Sequence, residues 1–574
     1  MSTVNPTCNL CSGAPCGSTV HRCLRIPEIL DNVFGHVGAM GVAGFKFQLG
    51  SLLSLALACT TYTNLALDRI WYSSQPSLVR LLHLLPKDAY KVKMITRGLF
   101  RTPATVRASL CPSFVGRSLT LRITFSRDLR PSDFDRVLFY ASRIRRFGDS
   151  YATSYCPSSR LPDDTLQAIW DSMPLPSTPI LPLLRHFGIH LNSLVEESLI
   201  FPVVHGAPIT SFEIFFAEGM IARANSDKVR DVIRPYYAAL TAWKISTNRM
   251  TPSPALMEMY CALGANLQTF DVAKLGINSA AFVHLARMPR LRKLLFCIDA
   301  SQLHLFNREP QSKGEFPELE ELEVETTDLD AVTELMKRLR PQRLEKLVVL
   351  RALNQVDKVN WDLDPFFDAL GSNVSQGRGL VRLDLWSRES SLTTPITVST
   401  LRPLFKCKMI EHLEIGYGAN LAIDNAGIAE MAAAWPYLRV LRLTESDSTS
   451  VQPQATLAGL LHLVASCRAL EALLLRVDAK QDVPDIAQVG HIVPNYNVKD
   501  LDVSTSPAID HKRLAAVIRR AMPSVSDVLF EWLNNYTDDD MFFPPFGPDK
   551  FYHDCWEKVR EMVHERFKAS KVVE

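Results

Sequence analysis

The feature that most constrains this chain is a short signature, apolar-x-x-apolar-x-apolar, that returns throughout its second half. It reads Leu291/Leu294/Phe296, Leu319/Leu322/Val324, Leu344/Leu347/Val349, Leu380/Leu383/Leu385 and Ile410/Leu413/Ile415. It continues as Leu438/Leu441/Leu443, Leu470/Leu473/Leu475, Val498/Leu501/Val503 and Val525/Val528/Phe530. Successive copies start 25 to 36 residues apart. Upstream the same shape is fainter, at Leu184/Phe187/Ile189, Ile209/Phe212/Ile214, Leu240/Trp243/Ile245 and Leu267/Phe270/Val272. Leu119/Leu121/Ile123 and Ile144/Phe147 read as still earlier turns. Alternation at the last positions of each copy predicts a strand with one buried face. A unit this short cannot bury that face alone, so copies at a near-constant period have to stack on one another.

Helical patterns lie between the strands. Asp330 to Leu339 places Val332, Leu335, Met336 and Leu339 on one face, and 425–435 and 510–522 behave likewise. Asp330, Asn425 and Asp510 are suited to accept a bond from an orphan amide of the first helical turn. Pro289, Pro317, Pro341, Pro436 and Pro523 mark where helices stop before the next strand. A strand plus a helix every ~28 residues resembles the leucine-rich repeat, whose strands line a parallel sheet on the inside with helices outside. The expected fold class is therefore α/β, a short all-α module followed by an irregular leucine-rich-repeat solenoid. A doubly wound α/β domain also alternates strand and helix, but the array is long and regular for one, and the chain lacks the Gly-rich phosphate loop such domains often carry. Regular repeats place Asn or Cys after two residues beyond the third apolar position. Here Asp299, Thr327, Ala352, Arg388, Gly418, Ser446, Asp478 and Ser506 stand there, so the asparagine ladder is missing and the repeats are irregular.

Composition removes several function classes. With 63 basic and 61 acidic residues the net charge is +2, which argues against a duplex nucleic-acid binder. Most of the 12 cysteines sit in apolar segments, as reduced core thiols do. The start has no charged and apolar leader pattern. The most apolar stretch, Leu52 to Leu67, is interrupted by Thr60, Thr61, Tyr62, Thr63 and Asn64, so no membrane span is expected. The expected compartment is the cytoplasm, the nucleus or both.

Residues 1–22 are small and polar and read as a disordered tail. Cys8-x-x-Cys11, Cys16, His21 and Cys23 offer metal-ligand types, but the irregular second pair favours a loose tail over a zinc site. From residue 23 to 75 the chain reads as a helical module. Ile26-Pro27-Glu28-Ile29-Leu30, Val33-Phe34, Leu52-Leu53, Leu55, Ala58-Cys59, Tyr62, Leu65-Ala66 and Ile70-Trp71 resemble an F-box. The match spans residues 24 to 72 and departs in a longer insert, Gly38 to Gly50, and in Ile26 where leucine is usual. The resemblance implies three short helices that dock on the Skp adaptor of a cullin–RING ubiquitin ligase. It assigns adaptor contacts to Ile26, Pro27, Ile29, Leu30, Val33, Phe34, Leu52, Leu53, Leu55, Cys59 and Trp71. Physics points the same way, because so short a module has too small a core of its own and needs a surface to cover it. That surface is either a partner or the open end of the solenoid. An F-box followed by leucine-rich repeats is similar to the divergent fungal set of substrate receptors. It implies a non-catalytic ligase subunit that needs no cofactor and bridges the adaptor, and through it a cullin, to an unidentified target protein.

Strand side chains alternate faces, so the residues flanking the second and third apolar positions point out of the sheet. Candidate target contacts are Lys293, Glu321, Glu323, Lys346, Arg382, Asp384, Trp386, His412, Glu414, Arg442, Arg476 and Asp502. Mixed charge favours a protein partner over a polyanion. Trp386 beside Arg382 has the make-up of a binding hot spot, or else packs on the next repeat. After the solenoid, 76–535, residues 536–574 hold an acidic turn at 538–540 and a helix from Asp549 to about Ala569. Phe551, Trp556, Val559, Val563 and Phe567 fall mostly on one face, as a cap for the last repeat or a partner-binding tail requires. No G-x-S-x-G, G-x-x-x-x-G-K-[ST] or H-E-x-x-H motif occurs, so no catalytic or metal residues are expected.

Overall fold

The computed structural model describes residues 51–54, 56–57, 60–73, 81–96, 119–147, 171–172, 179–191, 204–216, 230–231, 233–247, 254–298, 315–339, 343–351, 362–373, 379–386, 395–416, 421–444, 452–485, 490–530 and 548–573. The chain divides into two compact units, Met1–Pro103 with Val115–Asn248, and Ala104–Phe114 with Arg249–Glu574.

The second unit carries the strong repeats. Its strands are β7 (Thr269–Gly276), β8 (Lys293–Ile298), β9 (Glu321–Thr326), β10 (Lys346–Arg351), β11 (Arg382–Trp386), β13 (His412–Gly416), β15 (Val440–Thr444), β16 (Ala472–Leu475), β17 (Asp500–Asp502) and β18 (Val528–Leu529). Each pairs in parallel with the next in that order. The short pair β12 (Ile396–Thr397) and β14 (Leu421–Ala422) forms a separate parallel bridge. The apolar signature sets the register. Leu294, Leu322, Leu347, Leu383, Leu413, Leu441, Leu473, Leu501 and Val528 are consecutive partners across the sheet, and all are buried. Shifting any strand by one residue would turn this row out to solvent, and each leucine contributes about 1.5–3 kcal/mol by burial. The leucine-rich-repeat order expected from the spacing is the order observed.

Helices cover the side on which those leucines lie. In Leu329–Arg338 the buried set is Leu329, Ala331, Val332, Thr333, Leu335 and Met336. Its N-cap is Asp328, which accepts from the Asp330 amide, not Asp330 itself. Asp424 caps Asn425–Ala434 by accepting from Gly427, while Asn425 reaches the next repeat. Asn425 Nδ2 donates to Thr456 Oγ1 at 2.8 Å and its Oδ1 accepts from the Thr456 amide at 2.8 Å. Asp510 caps His511–Ala521 as its position predicts.

The missing asparagine ladder is replaced by other short polar side chains. Ser506, fully buried, accepts from the Val477 amide at 2.9 Å and donates to the Val503 carbonyl. Asp478, 1% exposed, accepts from the Lys480 amide and from the Gln452 and Gln481 side-chain amides. Thr326, at the end of β9, closes its loop on Asp328 in the same manner. These groups satisfy loop amides that the turn buries.

The last repeat is closed by the helix Pro548–Val573. Trp556, Val559 and Val563 are buried, and the Trp556 indole donates to the Ser506 carbonyl at 2.8 Å. Arg560 forks onto Asp527 at 2.7 and 3.0 Å. Phe551 departs from the expected face and is 55% exposed.

In the first unit, β3 (Arg146–Phe147), β4 (His186–Leu191), β5 (Ser211–Phe216) and β6 (Ala242–Thr247) pair in parallel in chain order. Phe187, Phe212 and Trp243 are register partners, so the faint upstream signature is real. Leu119/Leu121/Ile123 is not a turn of this array. It lies in β2 (Leu119–Phe125), which pairs antiparallel with β1 (Tyr90–Thr96). Alternation alone states which face is buried, not which strand is the neighbour. No helix among the described residues is long and apolar enough to cross a membrane.

Candidate functional site

The face of the second unit's sheet away from the helices is lined by the residues between the buried leucines. Parallel pairing places them in rows. Lys293, Glu321, Lys346, Arg382 and His412 are consecutive register partners. The next row runs Asp271, Leu295, Glu323, Val348, Asp384, Glu414, Arg442, Leu474 and Asp502. A third holds Cys297, Glu325, Leu350, Trp386, Gly416 and Thr444. Neighbours within a row stand about 4.8 Å apart, close enough for charges on adjacent repeats to pair directly.

They do pair. Glu321 lies between Lys293 at 3.1 Å and Lys346 at 3.7 Å. Burial works against its charge, but the two ammonium groups outweigh it and hold the carboxyl below its ordinary range. Glu323 shows the opposite balance, since burial and the nearby Asp271 carboxylate raise it. Burial likewise raises Asp502, although the Ser504 amide donates to it.

At the centre, Asp384 and Glu414 are 3% and 4% exposed. Arg382 Nε donates to Asp384 Oδ2 at 2.7 Å, and Arg442 Nη1 to Glu414 Oε1 at 3.4 Å. His412 Nε2 faces both acids, 3.2 Å from Asp384 Oδ1 and 3.3 Å from Glu414 Oε2. Burial disfavours imidazolium there, and the two carboxylates outweigh burial and raise His412 above its usual value. Burial also opposes the Asp384 charge, while His412 and Arg382 hold that carboxyl below its usual value. The three ligand atoms lie within 4.8 Å of one another, a spacing a metal ion can span.

Trp386 is 41% exposed and its ring also lies against Gly416 on the next strand, so it packs and presents a surface at once. Arg476 is different from its row neighbours. It follows the last residue of β16, is 4% exposed, and its Nε donates to the Thr505 carbonyl. Sequence reasoning named Asp384, His412 and Glu414 singly but did not bring them together. The available signal was that all three occupy the same two columns of neighbouring repeats.

Of the residues assigned to adaptor contact, Ile26, Pro27, Ile29, Leu30, Val33, Phe34, Leu55 and Cys59 lie outside the described residues, as do the tail cysteines. Leu52 is buried against Tyr62, Leu65 and Ile70. Leu53 is 44% exposed and Leu57, which the motif did not single out, is 86% exposed. One helical turn apart, these two leucines point to one side of the segment. Trp71 is half-buried and packs on Tyr140, ring centroids 5.0 Å apart and planes tilted by 31°. Arg143 bonds Asp68 and the Asn64 side chain, tying helix Thr60–Ser73 to the segment after β2.

No family model matches the chain, and no curated protein matches it in sequence. Among solved structures it is similar to the one described as the crystal structure of the Rad7 and Elc1 complex in yeast. The two are 14% identical, the match covers 75% of this chain and 91% of that chain, and the TM-score is 0.33. A likeness of that size assigns neither partner nor activity.

Proposed function

We propose that the chain is a substrate receptor of a Skp–cullin–F-box ubiquitin ligase, with a helical adaptor-docking module at residues 23–75 and a target-binding face on the repeats. The observation that carries the reading is the pair Leu53 and Leu57, left exposed on a helical segment whose other side buries Leu52 and Ala56. Two leucines so placed leave apolar area in water, and a docked partner would recover up to about 1.5–3 kcal/mol at Leu57 and less at the half-covered Leu53. They fall inside the stretch that resembles an F-box, between the motif residues Leu30 and Trp71 in sequence. The open sheet face supplies the other requirement. Its charges are fixed in rows by strand register, with Trp386 half exposed among them, and such pre-organised polar surfaces favour selective protein contacts. The receptor itself performs no chemistry in this reading and holds the target for a conjugating enzyme.

A second reading, a leucine-rich-repeat scaffold without a ligase role, draws on a different observation. Trp71 on Tyr140, and Asp68 and Asn64 on Arg143, bind the helical module to its own unit. A module that only covered the solenoid would make such contacts. Adaptor binding by the purified chain, with Leu53→Asp/Leu57→Asp beside the wild type, separates the two: only the receptor reading expects binding, and expects the variant to lose it.

A further inference from the structure

We propose that Asp384, His412 and Glu414 form a binding site for a divalent first-row transition ion, zinc foremost, with Asp384 Oδ1, His412 Nε2 and Glu414 Oε2 as its ligands. The spacing of the three groups suits an ion. A tetrahedral ion about 2.0–2.1 Å from each ligand sets neighbouring ligand atoms roughly 3.3 Å apart. His412 Nε2 lies 3.2 Å from the Asp384 oxygen and 3.3 Å from the Glu414 oxygen.

One carboxylate oxygen at this point is unserved. The Asp384 side chain is 4% exposed, and its Oδ1 accepts no hydrogen bond. Nε2 carries at most one proton, and its hydrogen bond runs to Glu414. Two buried carboxylate oxygens therefore converge on a nitrogen that can satisfy one of them. Leaving a buried charged acceptor unserved is unfavourable, since it has given up water and gained no donor. A cation at the point of convergence serves all three atoms, with the imidazole nitrogen turned from donor to lone-pair ligand.

The surrounding side chains orient the three groups. Arg382 occupies the other Asp384 oxygen and Arg442 the other Glu414 oxygen. Each carboxylate is thereby turned with its free oxygen toward His412, as hydrogen-bonded second groups orient metal ligands. Asp384 and Glu414 are register partners on β11 and β13, and His412 precedes Glu414 by one pleat, so the backbone holds all three rigidly. The donor set, one imidazole and two carboxylates without a thiolate, suits zinc, manganese, iron, cobalt or nickel and not copper(I). The two arginines balance the two carboxylates, so a bound ion keeps its own charge and its remaining position favours water or an anion.

The test uses the full chain carrying Cys8→Ser and Cys11→Ser, which removes the thiol pair of the tail as a competing ligand set. The chelator-stripped protein is titrated with Zn2+ against a chromophoric chelator, then with Co2+ for its visible spectrum. One equivalent of Zn2+ is expected, weakened at least ~10-fold by His412→Ala and by Glu414→Gln, and unchanged by Glu323→Gln on the same face. Bound Co2+ is expected to show visible d–d bands without near-ultraviolet thiolate absorption. Circular dichroism of the metal-free variants identifies any that do not fold, and the near-isosteric Glu414→Gln and Asp384→Asn then carry the comparison. No bound equivalent, or binding that survives both Glu414→Gln and Asp384→Asn, overturns the proposal.

Discussion

Trp386 and Gly416 are register partners on β11 and β13, and the indole lies so close over the glycine that a Cβ there would come within 2.9 Å of the ring. The glycine is what lets a large aromatic side chain lie flat on the sheet while part of it stays in water. Gly416→Val is expected to force the indole off the strand at a cost of about 1–3 kcal/mol, the usual range for overpacking. Urea unfolding followed by circular dichroism measures the loss. Trp386→Ala/Gly416→Val should recover most of it, because the clash is then gone.

The terminal cap makes a second prediction. Trp556 fills the end of the repeat core and also donates to the Ser506 carbonyl, while Ser506 holds the loop after β17. Trp556→Ala removes both packing and a donor and is expected to cost about 3–5 kcal/mol. Trp556→Phe, which keeps most of the ring, should cost clearly less. Equal losses in the two variants would show that the hydrogen bond, not packing, secures the cap.

Asp133 makes stability depend on pH. Arg127 forks onto its carboxylate at 2.7 and 3.1 Å and the Arg130 amide donates at 2.8 Å, which together lower it from 3.8 to about 2. A carboxyl whose folded value lies below its unfolded value stabilises the fold at pH above the unfolded value. That contribution is lost as the pH falls from about 4 to about 2. Asp133→Asn keeps an acceptor for the Arg130 amide but removes the charge that Arg127 pairs, so it should cost about 1 kcal/mol at neutral pH. Thermal unfolding between neutral and acid pH should show a shallower acid loss in the variant than in the wild type.

How much of this was legible in the sequence depended on whether the determinant was local. Leu322, Leu347 and Leu383 announce their strands, because alternate burial is written in adjacent residues, and stacking then aligns them. The caps were legible only to within a residue or two. Asp328 and Asp330 are equally good acceptors, and the extended backbone at Asp328, with φ −138° and ψ 119°, decides between them. Leu119–Phe125 pairs outside the array, with Tyr90–Thr96, whose alternation of Tyr90, Val92 and Met94 with Lys91 and Lys93 marks a strand but does not name its neighbour. The acids around His412 were named as surface residues, yet their burial and convergence come from pairing between strands 30 residues apart, from Arg382 to His412. Arg476 fits the outward pattern and is nevertheless withdrawn to a backbone carbonyl, because its strand ends one residue earlier.

The most direct test of the receptor reading is stoichiometric binding of the purified full chain to the Skp adaptor. The wild type is compared with Pro27→Ala/Leu30→Ala, Leu53→Asp/Leu57→Asp and a deletion of residues 1–72. The account predicts a one-to-one complex with the wild type that is lost in all three variants while far-UV circular dichroism of the repeats persists. A folded wild-type chain that binds no adaptor, or binds it equally well without residues 1–72, would contradict it.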